Sequence, residues 1–64
     1  MAISMKAARV NAGLTQREAA KALHISKATL ACYENGKSVP RLDTAQKMAS
    51  LYELSVNDII FFAN

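Results

Sequence analysis

One cysteine, one proline, two glycines and no tryptophan are all that this chain of 64 residues has of those four types. A lone cysteine excludes an intramolecular disulfide, and without a Cys/His cluster no structural zinc can hold the fold. So few helix breakers argue against a loop-rich or disordered polypeptide. No apolar run approaches the roughly 18 residues of a membrane span, and the N-terminus lacks the apolar stretch of a secretory signal. The expectation is a cytoplasmic chain with no cofactor, no metal and no membrane contact. Acidic residues are also scarce, 5 against 8 Lys and Arg, for a net charge of +3.

What is present is apolar and basic. Hydrophobic residues make up 52% of the chain, which suits one compact domain over residues 1–64. A chain of this length buries only about 60% of the surface it exposes when unfolded, so its margin of stability is thin. The pI of ≈ 9.4 lies above the value of about 9 that marks a candidate nucleic-acid binder. The charge is uneven. Through Arg41, seven basic residues (Lys6, Arg9, Arg17, Lys21, Lys27, Lys37, Arg41) face two acidic ones (Glu18, Glu34), a balance of +5, whereas Lys47 with Asp43, Glu53 and Asp58 leaves −2 for the rest. A polyanion would dock at the positive end. Such charge also serves solubility alone, and the total does not choose between the two.

Start and stop signals divide the chain into five short helices. Ser4 caps a first helix of about eight residues, which ends near Ala12 with Gly13 supplying a left-handed residue. Thr15 and Glu18 form a capping box at the start of a second, whose buried face is Ala19, Ala20 and Leu23. Ser26 caps a third, with Leu30 and Tyr33 inward, before Asn35 and Gly36 stop it. Pro40 closes the longest non-helical stretch. The spacing of Leu42, Ala45, Met48 and Ala49 predicts a fourth helix to about Tyr52 with those residues buried. Ser55 and Asp58 signal a fifth, carrying Val56, Ile59 and Ile60. The predicted class is all-α.

The second and third helices are joined by only three or four residues, so they must cross steeply. Ala19 and Ala20 permit the close crossing, Ile25 plugs the turn, and Lys27, Ala28, Ala31 and Cys32 are left to face outward. That face is narrow enough to approach the floor of a groove. For Ala28 and Ala31, serving simply as good helix formers is an equal alternative.

The stretch "LTQREAAKALHISKATLACYENGKSVPRLDTAQKMASLYELSVNDII", preceded by "AARVNAG", resembles the helix-turn-helix domain of the Cro/C1 type, or XRE family, of phage repressors and small bacterial regulators. The resemblance runs from about Met5 to Ile60. It implies a lambda-repressor-like domain whose third helix enters the DNA major groove while the second lies across the backbone. Carried over residue by residue, it implies base contacts from Ser26, Lys27, Ala28, Ala31 and Cys32. Lys27 would donate to guanine, and the alanines offer only apolar contact to thymine methyls. It implies backbone contacts from Gln16, Arg17, Thr29, Asn35, Lys37, Ser38 and Arg41. Arg17, like Lys21, has solvation as an equal alternative. Arg41 stands where the family has a small capping residue, which implies a weaker cap. Arg9 and Glu34 are implied to form an ion pair, worth up to about 3 kcal/mol if partly buried and under about 1 if exposed. His24 stands where the family usually has glycine, in a position needing positive φ. The family's two-fold sites imply a homodimer on a pseudo-palindromic operator, with Phe61 and Phe62 as candidate contacts.

The expected function is sequence-specific double-stranded DNA binding by a small repressor. The alternative is a protein-interaction module of the same fold, such as an antitoxin or a partner-capturing subunit. An enzymatic reading of Cys32 with His24 is poor, because the two lie on different faces with no third group to orient the imidazole. Cys32 is expected instead as an exposed thiol facing DNA.

Overall fold

The computed structural model describes residues 2–62. Among these residues four helices, α1 (Met5–Asn11), α2 (Gln16–Leu23), α3 (Lys27–Glu34) and α4 (Leu42–Leu51), are accompanied by a 3-10 turn at Val56–Asp58. Two short strands, β1 (Ile3–Ser4) and β2 (Ile59–Ile60), pair in parallel, Ile3 opposite Ile59 and Ser4 opposite Ile60. The core is assembled from one to three apolar residues of each helix and from the C-terminal segment. Ala19, Ala20 and Leu23 of α2 and Ala45, Met48 and Ala49 of α4 meet Leu30 of α3 and Met5 and Ala8 of α1, with Tyr52, Ile59 and Phe61 completing it.

The helix starts follow their side-chain signals. Ser4 Oγ accepts from the Ala7 N–H and Ser26 Oγ from the Thr29 N–H, each at 3.0 Å. At α2 the exchange is reciprocal: Thr15 Oγ1 accepts from Glu18 N–H at 3.1 Å, and Glu18 Oε1 accepts from Thr15 N–H at 2.9 Å. The bonds from the Thr15 backbone and then its side chain hold the exposed Glu18 carboxyl below its ordinary pKa. This cap therefore supports the helix above the usual carboxylate range and loses that support as pH falls through the lowered value. Arg41 begins α4 without any side-chain cap bond.

All four helices end on one device, for which the chain has too few glycines. A left-handed residue follows each helix at Gly13 (φ 77), His24 (φ 59), Gly36 (φ 78) and Glu53 (φ 59). The next N–H then reaches back five residues: Leu14 to Arg9 O, Ile25 to Ala20 O, Lys37 to Cys32 O and Leu54 to Ala49 O. Glycine adopts this conformation freely, while residues bearing a Cβ are strained there by roughly 1 kcal/mol. His24→Gly should therefore raise stability by up to about 1 kcal/mol in thermal unfolding, and His24→Ala, which keeps the Cβ, should gain nothing.

Three expectations are corrected. The fifth helix is absent: Ser55 and Asp58 do form a capping box, but it starts only a single 3-10 turn, after which the chain extends. The reason is a period of two. Ile59 (5% exposed) and Phe61 (8%) point inward while Ile60 (50%) and Phe62 (69%) point out, and this β-branched and aromatic run pairs with β1 instead of coiling. The molecule is thus mostly helical with a two-stranded ribbon, not all-α. Leu42, expected in the core, is 69% exposed. It is the first residue of α4, one turn beyond the point where Ala45 meets the core, and buried Pro40 sits on the segment leading into it.

Candidate nucleic-acid interface

α3 is held by few of its own residues. Leu30 alone is fully buried, with Tyr33 packed against the core beside it. Its first turn stands clear, with Ser26, Lys27 and Ala28 exposed. Thr29, Ala31 and Cys32 are half-buried. The fully outward thiol expected at Cys32 is thereby corrected: one turn beyond Ala28, the helix surface has rotated toward its neighbours. The Ser26 hydroxyl is also less free than expected. It accepts the Thr29 N–H and donates to Thr29 Oγ1 at 2.8 Å, which leaves the Thr29 hydroxyl hydrogen available to an outside acceptor.

Cations and donors are exposed on the elements that precede and follow α3 in the chain. Arg17 and Lys21 are exposed on α2, and Asn35, Lys37, Ser38 and Arg41 are exposed in the segment from α3 to α4. That segment leaves α3 with its backbone fixed, since the Lys37 and Ser38 N–H groups both donate to Cys32 O, at 2.9 and 3.4 Å. Gln16, the first residue of α2, is half-buried and turned inward, its Nε2 donating to Glu34 Oε1 at 3.0 Å.

The angle of α3 is fixed from behind by one carboxylate. Arg9 Nε donates to Glu34 Oε2 at 2.8 Å and Arg9 Nη2 to Glu34 Oε1 at 3.3 Å. The side chains are only 9% and 2% exposed, respectively. This is the two-pronged geometry a guanidinium makes with a carboxylate. Arg9 Nη1 reaches on to the Leu14 carbonyl at 2.8 Å, so α1, the entry to α2 and the end of α3 share one cluster.

Tyr52 is near enough to that cluster to feel its charges, and its buried hydroxyl has no hydrogen-bond partner among the described residues. Burial first, and then the Glu34 carboxylate, push its pKa up to about 12 against the opposing pull of Arg9. The unfolded chain gives up this proton near pH 10 and the folded one near 12, so stability present below pH 10 is lost as pH rises through that window. Tyr52→Phe should flatten this alkaline loss and leave stability at pH 7 equal or up to about 1 kcal/mol higher, because an unsatisfied polar group is removed. Chemical denaturation of both proteins between pH 7 and 12 checks this.

Two packed helices are joined by a short turn, and the second leaves its first turn exposed between stretches of chain that expose cations. A family model described as helix-turn-helix matches residues 5–59. The chain belongs to that family, in its Cro/C1-type branch. The HTH-type transcriptional regulator ImmR of Bacillus subtilis (strain 168) is 39% identical over 56 residues, which cover 88% of this chain and 44% of that protein. The cryptic phage CTXphi transcriptional repressor RstR of Vibrio cholerae is 33% identical over 52 residues, covering 81% and 47%. The helix-turn-helix chain thus spans less than half the length of either relative. No solved structure matches it. Within the helix-turn-helix, α2 and α3 are the two named helices and His24 to Ser26 the turn. The bond from Gln16 to Glu34 is the feature that sequence spacing did not foretell. No helix among the described residues is long and apolar enough to cross a membrane.

Proposed function

We propose that this chain is a transcriptional repressor of the cytoplasm that binds double-stranded DNA sequence-specifically, with α3 in the major groove. The observation that carries the reading is the exposed first turn of α3, Ser26 to Ala28, with cations exposed on the stretches of chain before and after it, Arg17 on α2 and Lys37 and Arg41 beyond α3. A ridge of small residues approaches base edges while flanking cations and hydroxyls meet phosphates. In this reading Lys27 donates to guanine, and Ala28, Ala31 and Cys32 give apolar contact to thymine methyls, with Ser26 at the helix start. Gln16, Arg17, Thr29, Asn35, Lys37, Ser38 and Arg41 address the backbone.

Two copies on a pseudo-palindromic operator would place their α3 helices about 34 Å apart. Of the two rings considered for that contact, Phe61 is spent in the core and Phe62 is free. Exposed Ile60 beside Phe62 makes the apolar end the proposed homodimer surface. The second reading, capture of a protein partner in the manner of an antitoxin, draws on the same end, with Val39 and Leu42 also exposed.

Selection from a random duplex pool tests the first reading: a recovered palindrome supports it, and an unenriched pool sinks it. On the selected site, Lys27→Ala should alter preference at one or two base pairs by about 1 to 3 kcal/mol, whereas Arg41→Ala should weaken all sequences alike. An unchanged preference after Lys27→Ala would show that this residue does not read bases.

A further inference from the structure

Glu34 does more than pair with Arg9. Its Oε1 accepts Gln16 Nε2–H at 3.0 Å as well as Arg9 Nη2–H at 3.3 Å. Meanwhile Arg9 Nη1 holds the Leu14 carbonyl, two residues ahead of Gln16. The start of α2 is therefore tied to the end of α3 by its backbone and by a side chain.

An amide nitrogen carries two hydrogens, and Glu34 takes one of them. Turning the Gln16 amide over would set its oxygen against Glu34 Oε1, acceptor against acceptor, so the carboxylate fixes which end faces inward. The second Nε2–H has no protein acceptor among the described residues, and Gln16 is half-buried, with part of its surface open to solvent. A phosphate oxygen only accepts hydrogen bonds, and this N–H is the donor it requires. A bare carboxylate nearby would repel that phosphate. The Arg9 guanidinium, bonded to both Glu34 oxygens, offsets the charge.

We infer that Glu34 is a positioning residue for DNA binding: through Gln16 it orients an amide whose second N–H donates to a phosphate, while Arg9 neutralises the carboxylate so that the anion can approach. This rests on the DNA-binding reading above and adds a dependence between two residues that the reading alone does not require.

The test is a double-mutant cycle in affinity for a selected duplex, using Gln16→Ala and the near-isosteric Glu34→Gln. In the unaltered chain, Gln16→Ala should weaken binding roughly ten-fold with no change in salt slope, because no charge is lost. In the Glu34→Gln background the same replacement should cost less than about three-fold. Equal losses in both backgrounds would overturn the positioning role while leaving DNA binding intact; absence of duplex binding by the unaltered chain would instead defeat the underlying reading. If Glu34→Gln fails to fold, proton exchange at the Gln16 side-chain amide of the unaltered chain decides. One Nε2 hydrogen should be protected in the free protein and the second only after duplex is added. Two rapidly exchanging hydrogens in the free protein would refute the arrangement.

Discussion

Glu34→Ala will destabilise the fold by about 3 to 5 kcal/mol, enough to leave much of the protein unfolded at room temperature. The replacement removes a carboxylate whose side chain is 2% exposed and strands an Arg9 guanidinium only 9% exposed. Three hydrogen bonds to Glu34 vanish with it, two from Arg9 and one from Gln16. Most of the loss is the cost of leaving a buried charge without its partner. Arg9→Ala in the same chain should therefore recover part of it. Urea denaturation of the two single variants and the double variant measures the coupling. A coupling well above 1 kcal/mol is expected, and a negligible one would mean that the pair is held in a solvated setting despite its burial.

Affinity for duplex DNA will fall on the order of a thousand-fold between 50 and 200 mM salt. Each copy has three exposed cations proposed to meet the backbone, Arg17, Lys37 and Arg41, so two copies on one operator would displace about six counterions and give a log–log slope near −5. Arg41→Ala should reduce that slope by about 1 for each copy bound. An affinity nearly flat in salt would point to the apolar end as the working surface and favour capture of a protein partner.

Local signals carried most of the helical part of this fold. Ser4, Thr15 with Glu18, and Ser26 start their helices through hydrogen bonds spanning three residues, a range that spacing along the chain describes well. The left-handed residue at His24 was legible only through the family resemblance, which has glycine at that place. Glu53 was not, because neither its type nor its neighbours mark a positive φ. The misread fifth helix shows where short apolar runs become ambiguous. Val56, Ile59 and Ile60 fit a helical period, yet Ile59 to Phe62 obey a period of two once β1 lies alongside. That pairing joins the two ends of the chain and leaves no local trace.

At the candidate interface, helix spacing anticipated the exposed Lys27 and Ala28, while Lys37 and Arg41, which the family resemblance implied there, are exposed as well. The partial burial of Cys32 depends on how α3 is rotated against its neighbours. The inward turn of Gln16 depends on Glu34, 18 residues away. Side-chain bonds over that distance are settled by packing, and packing is what a pattern of single residues omits.

Backbone-amide NMR during titration with a selected duplex tests the central claim most directly, because it reports every part of the surface at once. Saturable shifts should concentrate on Ser26 to Cys32, with a second set at Gln16, Arg17 and Lys37 to Arg41, and Ile60 and Phe62 should respond only through pairing of two copies. Shifts confined to the Ile60–Phe62 end, with α3 unmoved at saturation, would contradict the account.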